Sequence, residues 1–278
     1  MSKAVLTIDD IASANTTAIV DYLQEKNICP VMYAVGRNVE KYYEEAVYAL
    51  QRGMIIGNHS YSHPGFSTLS LSACLEEIEK NEALLDRLYA DAGVTRRFKP
   101  FRFPYGDKGG ENATALQAYF RKNGFDKLQD AQVTNPWYIE CRMKEDADAY
   151  WTFDFGEWQI RPDSDFNAES VFKKIHEPHP VTGEMLWQEG ACHIFLLHAH
   201  DETEALVPEY YRLFLEHVME CGVEFVKPEF EKLTAKKGGQ VTTRGGEGYG
   251  ERNRQGAVKA GSCEIENPGG RALPGSGI

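Results

Sequence analysis

From residue 4 to residue 89 the chain alternates short apolar runs with segments of helical period, and this restricts the fold more than any other feature. Residues 4–8, 31–35 and 54–56 read as buried strands, and residues 14–27, 41–52 and 71–89 as helices between and after them. The first helix carries Ile19, Val20 and Leu23 on one face. The last carries Leu75, Ile78, Leu84, Leu85 and Leu88, with Ser72 and Glu76 framing its start. Strands joined by helices are parallel, because a parallel neighbour is reached only through a crossover. The expected fold class is therefore α/β. Further on, 98–106 and 150–154 read as strands, and 113–123 as a helix closed by Gly124. Residues 168–176 read as helix, 179–190 as loop or hairpin and 193–197 as strand. A helix over 209–221 and a strand over 223–226 complete the pattern. Residues 126–150 have no assignable period beyond a loop at Asn135-Pro136-Trp137.

Composition narrows the class of partner. The chain has 278 residues, 42% of them hydrophobic, enough for one barrel or one to two smaller domains. A formal net charge of −12 disfavours nucleic acid and anionic lipid as partners. No apolar run is long enough to span a bilayer. Met1-Ser2-Lys3 runs directly into a strand with no signal-peptide pattern, so the expected localisation is cytoplasmic. The six cysteines are widely spaced, without a C-x2-C pair, and are expected to be unpaired thiols. Residues 1–233 form the expected catalytic domain. Residues 234–278 are Gly-rich and lack periodicity, and are expected to be disordered. Composition says nothing of oligomeric state.

Chemistry collects at the C-terminal ends of the strands. Asp9 and Asp10 end the first, and His59 and His63 follow the third. Arg102 leads a Pro-punctuated turn, and His198 ends the apolar run at 193–197. On a helical turn, positions i and i+4 share a face with Cβ atoms about 5–6 Å apart, so His59 and His63 could hold one metal ion there. A pair of histidines at this spacing is more often a satisfied surface or core pair, and it gains meaning only from its partners. Two imidazoles and one carboxylate make a facial site for Zn²⁺ or another divalent first-row ion. Asp9 and Asp10 are adjacent and so point to opposite faces of a strand, unless the chain turns between them.

Five motifs in order resemble those of carbohydrate esterase family 4, the polysaccharide deacetylases with NodB homology, over roughly residues 3–230. They are Thr7-Ile8-Asp9-Asp10, His59-Ser60-Tyr61-Ser62-His63, Arg102-Phe103-Pro104-Tyr105-Gly106, Asp154-Phe155-Gly156-Glu157-Trp158 and Leu196-Leu197-His198. The resemblance implies a distorted (β/α) barrel of about seven units. It implies that Asp10, His59 and His63 hold a divalent metal, Zn²⁺ first, with Co²⁺ or Ni²⁺ as alternatives. Asp9 is then the general base toward water, and His198 the general acid toward the departing amine. Arg102 orients Asp9, and Asp154 tunes His198 or pairs with Arg102. The Tyr105 backbone N–H stabilises the oxyanion, while Trp158 and Leu196 wall the acetyl pocket. The chain departs from the family pattern at Ile11-Ala12, Phe103 and Glu157.

The implied activity is removal of N-acetyl groups from N-acetylglucosamine-containing polysaccharide or oligosaccharide. A sugar ester such as acetylated xylan is a variant of it. A cytosolic amidase on cyclic ureides or imides and a non-catalytic glycan-binding relative are the alternatives. Trp137, Tyr138, Trp151 and Trp187 offer either a sugar-stacking platform or core. His200 and Asp201 are weaker metal-ligand candidates, and His176, His179 and His193 are expected to be ordinary loop or strand histidines.

Overall fold

Alternation along the first strand decides which side chains face which core. The computed structural model describes residues 1–180 and 182–233; the Gly-rich segment expected to be disordered lies outside them. Strand β1 (Ser2–Ile11) turns Ala4, Leu6 and Ile8 into the main apolar core. Its alternate residues Val5, Thr7 and Asp9 face the other way. Next come α1 (Thr16–Glu25), β2 (Val31–Ala34), α2 (Gly36–Lys41), α3 (Tyr43–Gln51), β3 (Ile55–Asn58) and α4 (Leu71–Asp91). They are followed by α5 (Ala113–Lys122), β4 (Asp126–Leu128), α6 (Pro136–Glu140), β5 (Phe153–Asp154) and α7 (Ala168–Ile175). The series ends with β6 (Cys192–His198), α8 (Asp201–Leu206), α9 (Tyr210–Glu220), β7 (Val223–Phe225) and β8 (Phe230–Lys232).

The main sheet runs β3-β2-β1-β6-β5, all parallel, with β7 beside the start of β1. It curls into a ring that closes through isolated contacts. The Asn58 N–H bonds the Pro100 carbonyl at 2.9 Å, and the Ala149 N–H bonds the Phe101 carbonyl at 2.9 Å. Thr152 N–H then reaches the Ile194 carbonyl of β6 at 2.9 Å. The architecture is the distorted (β/α) barrel expected. β4 and β8 form a separate antiparallel pair.

Three apolar cores form among the described residues. One lies between the sheet and helices α1, α3, α4, α7 and α9. A second fills the barrel, around Val31, Tyr33, Tyr138, Tyr150 and Ile194. The third is an aromatic cluster of Phe66, Phe101, Phe103, Phe120 and Phe125 under α4 and α5.

Several boundaries differ from the sequence reading. The helix expected over 41–52 is α3, and an unexpected short helix, α2, precedes it, separated at Tyr42, whose φ/ψ of −123°/53° is not helical. The strand expected over 98–106 contributes one bridge, Phe101 to Asn58. Pro100 and Pro104 lack the N–H groups a longer ladder needs. The strand expected over 150–154 is ladder only at Phe153 and Asp154. Of the proposed aromatic platform, Trp137, Tyr138 and Trp151 pack with the barrel core, and Trp187 packs with the outer one.

Candidate active site

A bulge in β1 brings the two aspartates to one place. Pairing with β2 slips between Ile8 and Ile11, and Asp10 takes the left-handed conformation at φ 64°. The chain turns there, so adjacent carboxylates both reach the ring mouth. Ser60, His63 and Tyr105 also have positive φ, at 63°, 61° and 58°. A non-glycine residue held so costs about 1–3 kcal/mol. The surrounding bonds that hold each one therefore matter.

His59 and His63 are not on a helix, contrary to the expectation from their spacing. They sit on a loop leaving β3, and their rings meet edge-on at 4.9 Å. Gly57, within β3, permits the close approach of Pro100, since a Cβ there would come within 2.8 Å of the Pro100 carbonyl oxygen. Buried Asn58 anchors the loop. Its Nδ2 donates to the Ile78 carbonyl and to Glu82, and its Oδ1 accepts from the Ser60 N–H at 2.8 Å and Asn81 at 2.9 Å. Asn81 also donates to the Ala34 carbonyl at 2.8 Å. Glu77 accepts the Tyr61 and Ser62 N–H groups, and Ser60 Oγ accepts the His63 N–H. Helix α4 thus holds the histidine loop through the side chains of Glu77, Asn81 and Glu82 and the Ile78 carbonyl.

The three expected ligands converge. Asp10 Oδ1 lies 3.7 Å from His59 Nε2 and 3.4 Å from His63 Nε2. It is buried without a hydrogen-bond partner. Metal–N and metal–O bonds of about 2.0–2.2 Å set tetrahedral ligand atoms roughly 3.3–3.6 Å apart, so these residues fit a divalent ion. His59 Nδ1 donates to the Arg102 carbonyl at 2.8 Å, which leaves the Nε2 lone pair free. Burial pushes His63 down to about 4 against the Asp10 charge, so it is neutral at pH 7 and able to ligate. Burial opposes ionisation of Asp10, yet His63, the His200 hydrogen bond and His59 hold its carboxyl well below the usual range.

Arg102 is fully buried and grips Asp9. Its Nη1 donates to Asp9 Oδ1 at 2.9 Å and Thr7 Oγ1 at 2.8 Å, and its Nε to the Ala149 carbonyl at 3.2 Å. The guanidinium lies 4.5 Å from the Tyr33 ring centroid. Asp9 Oδ2 is left 3.5 Å from His59 Nε2, at the edge of the ligand set.

Of the two roles expected of Asp154, one needs correction and the other is shared with Glu157. Asp154 does not pair with Arg102: its oxygens accept the Gly156 N–H at 2.7 Å and the Trp158 indole N–H at 3.2 Å. The partner of His198 is Glu157, whose Oε1 accepts from the His198 backbone N–H at 2.6 Å and meets Nδ1 at 3.0 Å. The longer Glu157 side chain, where the family pattern has aspartate, was the signal available for this. Burial would lower the His198 pKa, but the Glu157 bond and charge, with Asp154 and Asp10, push it up to about 10. Register places His198 beside Asp9 on neighbouring strands, and Leu196 shares its face of β6. Half-buried Trp158 lies 6.4 Å from the His198 ring, and exposed Tyr105 lies edge-on to His63 at 4.5 Å.

His200 has a larger part than its sequence position conveyed. Its Nε2 lies 2.7 Å from Asp10 Oδ2, and its Nδ1 lies 3.3 Å from Arg161 Nη2. Arginine can only donate, so Nδ1 accepts and Nε2 carries the proton given to Asp10. One oxygen of Asp10 is thereby occupied, and the other faces the two histidines.

Residues 2–126 match the family model described as polysaccharide deacetylase. A peptidoglycan-N-acetylglucosamine deacetylase of Bacillus cereus is 33% identical over 107 residues, 38% of this chain and 37% of that protein. Chitin deacetylase 1 of Cryptococcus neoformans var. grubii is 31% identical over 156 residues, 54% of this chain and 32% of its own length. The matched segments thus span about a third of those relatives. A solved peptidoglycan N-acetylglucosamine deacetylase bound to an N-oxidanyl-benzamide superposes with a TM-score of 0.54 at 19% identity. That match covers 81% of this chain and 85% of that one, and it shows the shared fold.

Proposed function

We propose, for a chain that belongs to the polysaccharide deacetylase family, that it hydrolyses the N-acetyl group of N-acetylglucosamine units in a glycan or oligosaccharide. One observation carries this reading. A base held by a buried arginine and an acid held by a buried glutamate flank Asp10, His59 and His63, whose donor atoms converge beside a carboxylate oxygen without a partner. A non-catalytic glycan binder has no use for that arrangement.

Asp10 Oδ1, His59 Nε2 and His63 Nε2 would hold the divalent ion, Zn²⁺ or Co²⁺. When bound, the ion would act as a Lewis acid toward the acetyl carbonyl and make water more acidic. Arg102 fixes one oxygen of Asp9 at 2.9 Å, leaving the other to accept a proton from water. His198 arrives protonated, because Glu157 stabilises the imidazolium. It can therefore donate to the nitrogen of the departing amine, a poor leaving group unless protonated. The Tyr105 backbone N–H would face the oxyanion, and Trp158 and Leu196 would border the methyl group.

The test is acetate release from chitooligosaccharides. Release should stop on chelation and return with Zn²⁺ or Co²⁺. Asp9→Asn should retain the metal and lose turnover, whereas His63→Ala should lose the metal. A fully active Asp9→Asn protein would refute the mechanism. Ring opening of a cyclic ureide or imide, with no acetate from any sugar, would move the substrate class to the amidase alternative.

A further inference from the structure

Far along the chain from these motifs, three ligand-type side chains meet where two helices end. His176 is the C-cap of α7, and Cys221 the C-cap of α9, with His217 one turn before it. Nε2 of His176 lies 2.8 Å from Nε2 of His217, and Cys221 Sγ lies 3.9 Å from the same His217 nitrogen. All three ligand atoms fall within 4.8 Å of one another. Nothing in the deacetylase mechanism uses them.

Two independent features favour a cation there. A helix C-terminus carries roughly half a negative charge on its free carbonyls, and here two such ends meet. The rings are also fixed in place. Phe172 packs edge-on to His217 at 4.8 Å, and Trp187 edge-on to His176 at 5.2 Å. His176 remains exposed, which leaves an open side for an ion and a water ligand to enter.

We propose that His176, His217 and Cys221 form a second metal site, separate from the active site, that binds Zn²⁺ or a similar borderline divalent ion. Two imidazoles and a thiolate are a donor set that prefers zinc over calcium or magnesium. Binding turns the two Nε2 lone pairs toward the ion and moves the proton now between them to an Nδ1. The thiol proton is released to solvent, one per ion bound. The ion would clasp α7 to α9, and so brace the outer layer over β6. This inference stands whether or not the chain is a deacetylase.

The donor sets separate the two sites spectroscopically. Asp10, His59 and His63 offer nitrogen and oxygen only, so a thiolate-to-cobalt charge-transfer band in the near ultraviolet can come only from a site with sulfur. The full chain, stripped with chelator, is titrated with Co²⁺ and desalted. We expect two cobalt ions per chain and the charge-transfer band. Cys221→Ser should lose the band and one ion while keeping deacetylation; His63→Ala should keep the band and lose the other ion. Absence of the band in the parent chain would overturn the site, as would its persistence in Cys221→Ser.

Discussion

At the scale of single residues, the site depends on side chains that hold other side chains. His200 occupies one oxygen of Asp10 and leaves the second facing His59 and His63, where the proposed ion would bind. His200→Ala should weaken zinc binding about 10–100-fold, the usual cost of losing such a supporting bond. Competition against a chromophoric chelator measures this, and unchanged affinity would show that Asp10 is held without it. Glu157 does the same for His198, the proposed acid. With His198 held up to about 10, its proton stays on through neutral pH and leaves only as pH rises through that value. The alkaline fall in kcat/KM should follow. Glu157→Gln removes the charge and most of the support, so that fall should move roughly one to three units lower. A profile that stays put would mean that another group sets the limb. The sequence could not separate Asp154 from Glu157 in this role. Both lie within one motif, and only the turn at Gly156, with φ 76°, aims one at Trp158 and the other at His198.

At the scale of elements, α4 is the foundation of the histidine loop. Asn81, fully buried in its middle, ties the end of β2 to Asn58 at the end of β3. Asn81→Ala leaves the Ala34 carbonyl without that donor and takes a donor from Asn58 Oδ1. The expected cost is about 1–3 kcal/mol in denaturant unfolding. Zinc affinity should fall with it, while the pH profile of turnover should not shift, because Glu157 and His198 belong to other elements. The helix itself was plain from its apolar stripe. Asn81 and Glu82 stand just before Leu84 in that stripe, and nothing local marks them as internal rather than solvated. Their burial follows from the approach of β3, which is a tertiary fact.

Across the whole molecule, ring closure is the weak seam. Between β3 and β5 the barrel is joined by Phe101 and its neighbours, not by a ladder. Near that seam, His193 of β6 meets Thr152. Burial lowers the His193 pKa to about 4, whereas an unfolded histidine titrates near about 6.5. The unfolded chain therefore takes up this proton first. Stability linked to His193 is fully present above the unfolded value and is lost as pH falls toward the folded one. His193→Gln should flatten the loss of stability between about pH 6.5 and 4. Urea midpoints at the two ends measure it, and an unaltered pH slope would place the acid sensitivity elsewhere.

The local order of the chain determined much of this protein. Strand and helix alternation implied parallel strands, and the apolar faces of β1 and α4 needed no partner to be recognised. The order of the five motifs pointed to Asp9, Asp10, His59, His63, Arg102 and His198 as one group. What only the tertiary structure decided was how they meet. His59 and His63 share a site because a strained loop folds them together, not because a helix spaces them. Asp9 and Asp10 share it because β1 bulges. His200 and Glu157 enter it through bonds to residues 190 and 41 positions away. Periodicity is written in neighbouring residues and survives in a sequence; a hydrogen bond between distant side chains exists only once the backbone has brought them within 3 Å.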